Sequence, residues 1–167
     1  IVMLRNPIDR AYSHHQFSLK NGKESLSFEE AIDCEAERLR GETERLLQDE
    51  RYYSYAHQHQ SYLTRGLYAD QLKMWGRCFA SRQMLVVQSE RFYEDAGAVL
   101  QQVLGFLGLS RWELAEYPRR NVGRYEAMEP ALRARLRAHF RPHNRRLFDL
   151  LGTTFDWDDD PQPTEAR

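Results

Sequence analysis

The sequence predicts an α/β fold that is predominantly helical, with two or so short parallel strands, and three features carry that prediction. An apolar run of β type, Ile1-Val2-Met3-Leu4, opens the chain and passes through Arg5 straight into a helix start. A second run of the same kind, Met84 to Gln88, stands far along the chain. Elsewhere the apolar residues recur mainly at helical spacing. With 167 residues, 41% of them hydrophobic, the chain can bury one sizeable core, which predicts a single domain over residues 1–157. Residues 158–167, acidic and Pro-containing, read as a disordered tail.

Each element has its own local reason. After the first strand, Asn6 is a good N-cap and Pro7 suits the first helical position, where its missing N–H is not needed; Asp9 adds an acid to the first turn. The helix runs to about Leu19 and stops at Asn21-Gly22. Ser27-Phe28-Glu29-Glu30 is a capping box that opens a second helix, with Phe28, Ala31, Ile32, Cys34 and Leu39 on its apolar side. The polar and aromatic stretch from Gly41 to Gln60 has no clear period and reads as a short helix and an irregular loop. Leu67, Tyr68, Leu72, Trp75 and Phe79 then mark an amphipathic helix packed by aromatics, ahead of the second strand at Met84–Gln88. Asp95 precedes a helix that buries Val99, Leu100, Val103, Leu104, Phe106 and Leu107 and ends at Gly108. Glu129-Pro130 opens the last helical stretch, and Pro142 is expected to break it into two helices, about 130–140 and 142–151.

Composition excludes several classes of function. A net charge of −1 argues against generic binding to nucleic acid or anionic membranes. No run approaches the 18 or so apolar residues of a membrane span, and the start has no signal-peptide pattern. Of the 24 basic residues only Lys20, Lys23 and Lys73 are lysines, a bias that fits a GC-rich genome. Cys34 and Cys78 lack CxxC spacing and companion ligands, so they read as two buried or idle thiols. His14-His15 and His57-x-His59 have no matching carboxylate or cysteine set, and no metal is expected. Glu90, just after the second strand, reads as a helix-start or structural carboxylate rather than a catalytic base.

Two places can hold an anion. Arg5 sits where strand becomes helix, and Ser13 lies about two turns on, roughly 10 Å along the axis, so a long arginine leaning over the helix can share one phosphate with its hydroxyl. An ordinary α/β connection with a surface arginine has the same pattern. The loop Pro118-Arg119-Arg120-Asn121-Val122-Gly123-Arg124-Tyr125 is the second: glycine lets backbone N–H groups approach an anion, and arginines flank it. An exposed basic turn before a helix would also look like this.

The string Leu4-Arg5-Asn6-Pro7-Ile8-Asp9-Arg10-Ala11-Tyr12-Ser13-His14-His15 resembles the 3′-phosphate-binding motif of sulfotransferases that use 3′-phosphoadenosine 5′-phosphosulfate (PAPS). The likeness continues through Tyr62–Leu72, Met84–Val87, Phe106–Leu109, Asn121–Tyr125 and Arg141–Asn144, in the family's order. The pattern is most similar to the heparan-sulfate and other carbohydrate sulfotransferases and their bacterial counterparts. The resemblance implies a P-loop-NTPase-like three-layer sulfotransferase fold, with PAPS as donor, adenosine 3′,5′-bisphosphate as product and no metal. It implies that Arg5 and Ser13 grip the donor's 3′-phosphate and that Gly123 and Arg124, helped by Arg120, cover its phosphates; Val122 stands where relatives carry a lysine. Tyr117 is a candidate to stack on adenine. Arg65, Gln71 and Tyr68, with the His57–Gln60 loop, fall where an acceptor would bind, although Tyr68 shares the face of Leu72 and Trp75 and suits a core position better. The acceptor is a small molecule or a glycan.

In that family the region ahead of this motif supplies the first strand, the loop around the 5′-phosphosulfate, its lysine and a general base. This sequence has no GxxxxGKS/T or related loop, so the resemblance implies an incomplete domain, its C-terminal part. Two rival readings stand beside it. A P-loop small-molecule kinase would need a Mg²⁺-binding acid and a Walker lysine; a non-catalytic remnant or interaction module would keep the core without the chemistry. Arginine richness and the absence of cysteine pairing point to a bacterial cytoplasm.

Overall fold

The structure is a computed structural model that describes residues 1–118 and 126–157. In chain order the elements are β1 (Val2–Leu4), α1 (Pro7–Lys20), α2 (Phe28–Arg38), α3 (Glu42–Gln48), α4 (Tyr55–His59), α5 (Tyr68–Gly76), β2 (Val86–Gln88), α6 (Ser89–Glu94), α7 (Ala96–Phe106) and α8 (Pro130–Leu151). Short 3-10 turns at Thr64–Gly66 and Ser81–Gln83 precede α5 and β2. The class is the α/β one expected: a two-stranded parallel sheet amid helices. The chain divides into two compact units, one of Ile1–Asn6, Tyr68–Asn121 and Arg137–Arg167, the other of Pro7–Leu67 and Val122–Leu136.

The first unit holds the sheet. β1 pairs with β2 in the register Val2 to Val86, Met3 to Val87 and Leu4 to Gln88. Its core gathers Leu4, Tyr68, Ala69, Leu72, Leu147 and Trp157, edged by Val2, Val86, Phe148, Leu151 and Phe155. The Trp157 ring lies 4.8 Å from that of Phe155 and 5.9 Å from that of Phe148, so the end of the described chain is stitched into the core. Residues 158–167, expected to form a tail, lie outside the described residues.

In the second unit α1 and α2 bury Ile8, Ala11, His15, Phe28, Ala31 and Ile32 together with Tyr62. The local signals act as expected. Helix α1 begins at Pro7 and ends in a Schellman motif: Gly22 takes φ +64°, and the N–H groups of Gly22 and Lys23 donate to the carbonyls of Leu19 and Ser18. Ser27 and Glu30 form the reciprocal capping box of α2.

Several expectations are corrected. Helix α8 runs unbroken through Pro142. The proline removes one helical hydrogen bond at about 3 kcal/mol. However, Pro142 and Ala138 are exposed, where water can satisfy the freed carbonyl, while Phe140 (0% exposed), Asn144 (4%) and Leu147 (1%) lie buried. Burying two large apolar side chains, at about 2 kcal/mol each, outweighs that loss. Trp75 and Phe79, expected to pack the interior, are exposed and contact each other with ring centroids 5.7 Å apart; α5 ends at Gly76, so only Tyr68, Ala69 and Leu72 reach the core. Of the apolar residues of α7 only Val99 is buried; Leu100, Val103, Leu104 and Phe106 are half-buried and Leu107 is exposed. The Gly41–Gln60 stretch forms two short helices rather than one, because Ser54 accepts the His57 N–H and caps α4. Both cysteines are exposed. On α2 the inward position next to Cys34 belongs to Glu35, which completes the buried stripe Phe28, Ala31, Ile32, Glu35.

Candidate functional site

The junction between β1 and α1 is held by its main chain. The Asn6 N–H donates to Glu90 Oε1 at 2.7 Å, and the Asn6 side-chain amide donates to the Trp157 carbonyl at 3.3 Å. One residue earlier, the Tyr68 hydroxyl donates to the Arg5 carbonyl at 2.9 Å. The peptide unit that follows Arg5 is thus fixed through both its carbonyl and its N–H, and the Arg5 side chain is half-buried. Tyr68, 6% exposed, is the core residue its periodicity suggests rather than a surface acceptor contact. Glu90 is structural: its second oxygen accepts the Trp157 indole N–H at 3.3 Å. Gln71 is exposed on α5. Tyr117 is 37% exposed, and its hydroxyl accepts the Leu114 N–H at 3.3 Å. Gly123, Arg124 and Arg120 lie outside the described residues. Ser13 is half-buried in α1, in the second unit.

The second unit contains an open cavity of about 520 Å³ lined by His14, Phe17, Leu46, Tyr52, Tyr53, Ser54, His57, Gln58, His59 and Arg65. Of the residues grouped for an acceptor, Arg65 and the His57–His59 segment line this cavity, and Gln71 and Tyr68 do not. Arg65 donates from Nη2 to the His57 carbonyl at 2.9 Å, and Ser61 donates to the same oxygen at 2.6 Å. The Tyr53 hydroxyl and His59 Nε2 share a hydrogen bond of 2.6 Å. Among the described residues no acidic side chain lines this cavity. Burial, followed by the guanidinium groups of Arg10 and Arg65, pushes the His14 imidazole down from 6.5 to about 4, so it is neutral near pH 7. The lining therefore combines aromatic faces, hydrogen-bonding groups that include the neutral His14, and the Arg65 guanidinium. That set suits a polar, ring-containing ligand.

Glu24 and Glu35 are two of three carboxylates buried among the described residues of this unit; the third, Glu42, accepts the Tyr52 hydroxyl at 3.0 Å. Glu24 accepts the N–H groups of Ser25 (2.9 Å) and Leu26 (3.1 Å), two bonds from Arg38 (2.6 and 3.2 Å) and the Tyr62 hydroxyl (2.9 Å). Burial alone would raise its carboxyl, but Arg38 and the other donors together hold it down at about 2. Burial and then Glu24 push the Tyr62 hydroxyl well above its ordinary range. Glu35, 3% exposed, accepts from the Leu63 N–H (2.6 Å), the Thr64 N–H (2.8 Å) and the Thr64 hydroxyl (2.7 Å). Sequence reasoning missed both. The signal for Glu35 was present: an acid at the i+7 position of an otherwise apolar stripe. Among the described residues no three His, Cys, Asp or Glu side chains group to hold a metal ion, and no helix is long and apolar enough to cross a membrane.

Comparison with known proteins sets these residues in context. Residues 1–128 match the family described as the sulfotransferase domain. The heparan sulfate glucosamine 3-O-sulfotransferase 3B1 of Mus musculus is 27% identical over 182 residues, covering 95% of this chain and 43% of the relative. The membrane-associated sulfotransferase kil1 of Dictyostelium discoideum is 27% identical over 95 residues, 57% of this chain and 20% of that protein. Among solved structures, a sulfotransferase from Alicyclobacillus acidocaldarius superposes with a TM-score of 0.73 at 32% identity, over 94% of this chain and 56% of that one. The chain spans less than half the length of these curated relatives.

Proposed function

The chain belongs to the sulfotransferase domain family, and on that premise we propose that the protein moves a sulfuryl group from PAPS to a hydroxyl or amine of an acceptor. In this reading Arg5 and Ser13 bind the donor's 3′-phosphate, Gly123 and Arg124 with Arg120 form a second donor contact, and Arg65 with the cavity beside it meets the acceptor. The observation that carries the reading is the β1–Arg5–α1 junction within the matched residues, with Arg5 anchored through its carbonyl and through the N–H of Asn6. A phosphate held there by an arginine and a hydroxyl spends binding energy far from the reacting sulfur and so orients the transferable group. A glycan is the acceptor class favoured, because curated relatives covering 95% of this chain are named for heparan sulfate glucosamine.

In the transfer itself the acceptor oxygen or nitrogen forms a bond to sulfur, and the bond from sulfur to the 5′-phosphate oxygen breaks. Adenosine 3′,5′-bisphosphate leaves, and the acceptor's proton passes to a base. Glu90 is not that base, since both its oxygens are engaged in structural bonds. Calorimetry of the full-length protein with adenosine 3′,5′-bisphosphate tests the donor site. Arg5→Ala is expected to weaken binding by about 100-fold and Ser13→Ala by about 5-fold, the difference between a charge-assisted and a neutral hydrogen bond. Unchanged affinity in Arg5→Ala would remove that residue from the site.

A further inference from the structure

We propose that Glu35 is a positioning residue for acceptor binding: it fixes the turn that aims Arg65 into the cavity of the second unit. The inference rests on the reading of that cavity as the acceptor site. Three hydrogen bonds of 2.6 to 2.8 Å run to this one carboxylate, two from the main-chain N–H groups of Leu63 and Thr64 and one from the Thr64 hydroxyl. All three donors belong to the two residues immediately before Arg65, at the start of the 3-10 turn Thr64–Gly66. The first N–H groups of such a turn have no partner within it, and the carboxylate satisfies two of them at once. Arg65 in turn donates to the His57 carbonyl, which ties the turn to α4 and to the cavity wall formed by Ser54, His57 and His59.

A side chain buried to 3% exposure on the inner stripe of α2 would be apolar if packing alone were required. A neutral amide at this position could accept from one or two of the donors but would turn its NH₂ toward N–H groups, leaving at least one bond unmade. The turn then loosens, and the error propagates to the guanidinium at its end. Arg65 contributes to the acceptor and not to the donor in this scheme, so loss of Glu35 acts on acceptor KM while kcat and donor KM hold.

The test uses the full-length protein with PAPS as donor and heparan sulfate as the probe acceptor, or 4-nitrophenol where heparan sulfate gives no turnover. Glu35→Gln is expected to raise acceptor KM about 10-fold with kcat and donor KM changed less than twofold, and Glu35→Asp to recover part of that loss. Arg65→Ala is expected to give a similar KM, and the double variant little more than either single one, because the two act as a unit. Should Glu35→Gln fail to fold, Thr64→Val decides: it deletes one of the three bonds and leaves the charge, and about a 3-fold rise in acceptor KM is expected. A wild-type acceptor KM in Glu35→Gln, or in Thr64→Val where that variant decides, overturns the inference while Arg65→Ala still shows an effect. A proportional fall of kcat and a rise of donor KM also overturn it, reducing Glu35 to a structural role. An Arg65→Ala protein with unchanged acceptor KM, or no turnover of either probe, overturns the acceptor reading on which the inference rests.

Discussion

His14 and Glu24 make the stability of this protein depend on acidity in two adjoining windows. The folded His14 titrates near 4 against an ordinary value of 6.5, so the unfolded chain takes up its proton first; the stabilisation is present in full above about 6.5 and is lost as pH falls to about 4. Glu24, held near 2 against 4.5, stabilises above 4.5 and loses its contribution as pH falls toward 2. Urea unfolding across this range is expected to show stability falling in both windows. His14→Phe, which keeps the ring packed beside Tyr62 at 5.1 Å, should shrink the upper window and leave the lower one, the remainder of the upper belonging to His15, whose imidazole burial also pushes down. Glu24→Gln should flatten the lower one and cost about 3 kcal/mol at neutral pH, because Arg38 loses its buried partner. An upper window left intact in His14→Phe would show that the imidazole is not held neutral by its surroundings. Neither effect was readable beforehand: a histidine in a row of two and an acid in a turn look like ordinary surface residues until Tyr62, Arg10 and Arg38 are brought against them.

At the scale of single elements the capping box of α2 and the long helix α8 make contrasting cases. Ser27 and Glu30 are three residues apart and meet whatever the rest of the chain does, which is why the start of α2 was legible. Ser27→Ala is expected to cost about 1 kcal/mol in chemical unfolding. Pro142 is a local signal of equal strength that tertiary burial overrides. Replacing it with alanine restores the N–H to the Ala138 carbonyl on the exposed face of α8, and about 2 kcal/mol of added stability is expected after the entropy that proline removes from the unfolded chain is subtracted. A Pro142→Ala protein no more stable than the parent would mean that the helix already satisfies that carbonyl without cost.

For the whole molecule, the proposed donor site predicts a link between folding and binding. A ligand that binds only the folded protein stabilises it by about 2.7 kcal/mol at a concentration 100 times its Kd. Adenosine 3′,5′-bisphosphate is therefore expected to raise the melting temperature of the full-length protein, and Arg5→Ala to cut that stabilisation to about 0.4 kcal/mol at the same concentration. A shift of wild-type size in Arg5→Ala would place the nucleotide elsewhere. The two short strands and the order of helices were readable from apolar period and caps, and their parallel pairing from Val2 to Val86 joins segments more than 80 residues apart. That Tyr68 enters the core was readable from its period, but that Trp75, with the same period on α5, stays exposed was not.

By itself the sequence determined what short-range chemistry can specify: a strand ending at Arg5, a proline-started helix carrying Ser13, the caps at Gly22 and Ser27, and an ordered set of motifs that identifies the family. These signals work between residues a few positions apart, so no distant partner is needed to make them. Only the tertiary structure decided that Glu35 faces inward while Cys34 does not, that Arg65 and the His57–His59 segment line one cavity, that Asn6 and Trp157 take up the two oxygens of Glu90 and that α8 passes through Pro142. In each case the deciding energy is burial or a hydrogen bond to a residue remote in the chain or exposure to solvent, and such terms exist only once the chain has folded.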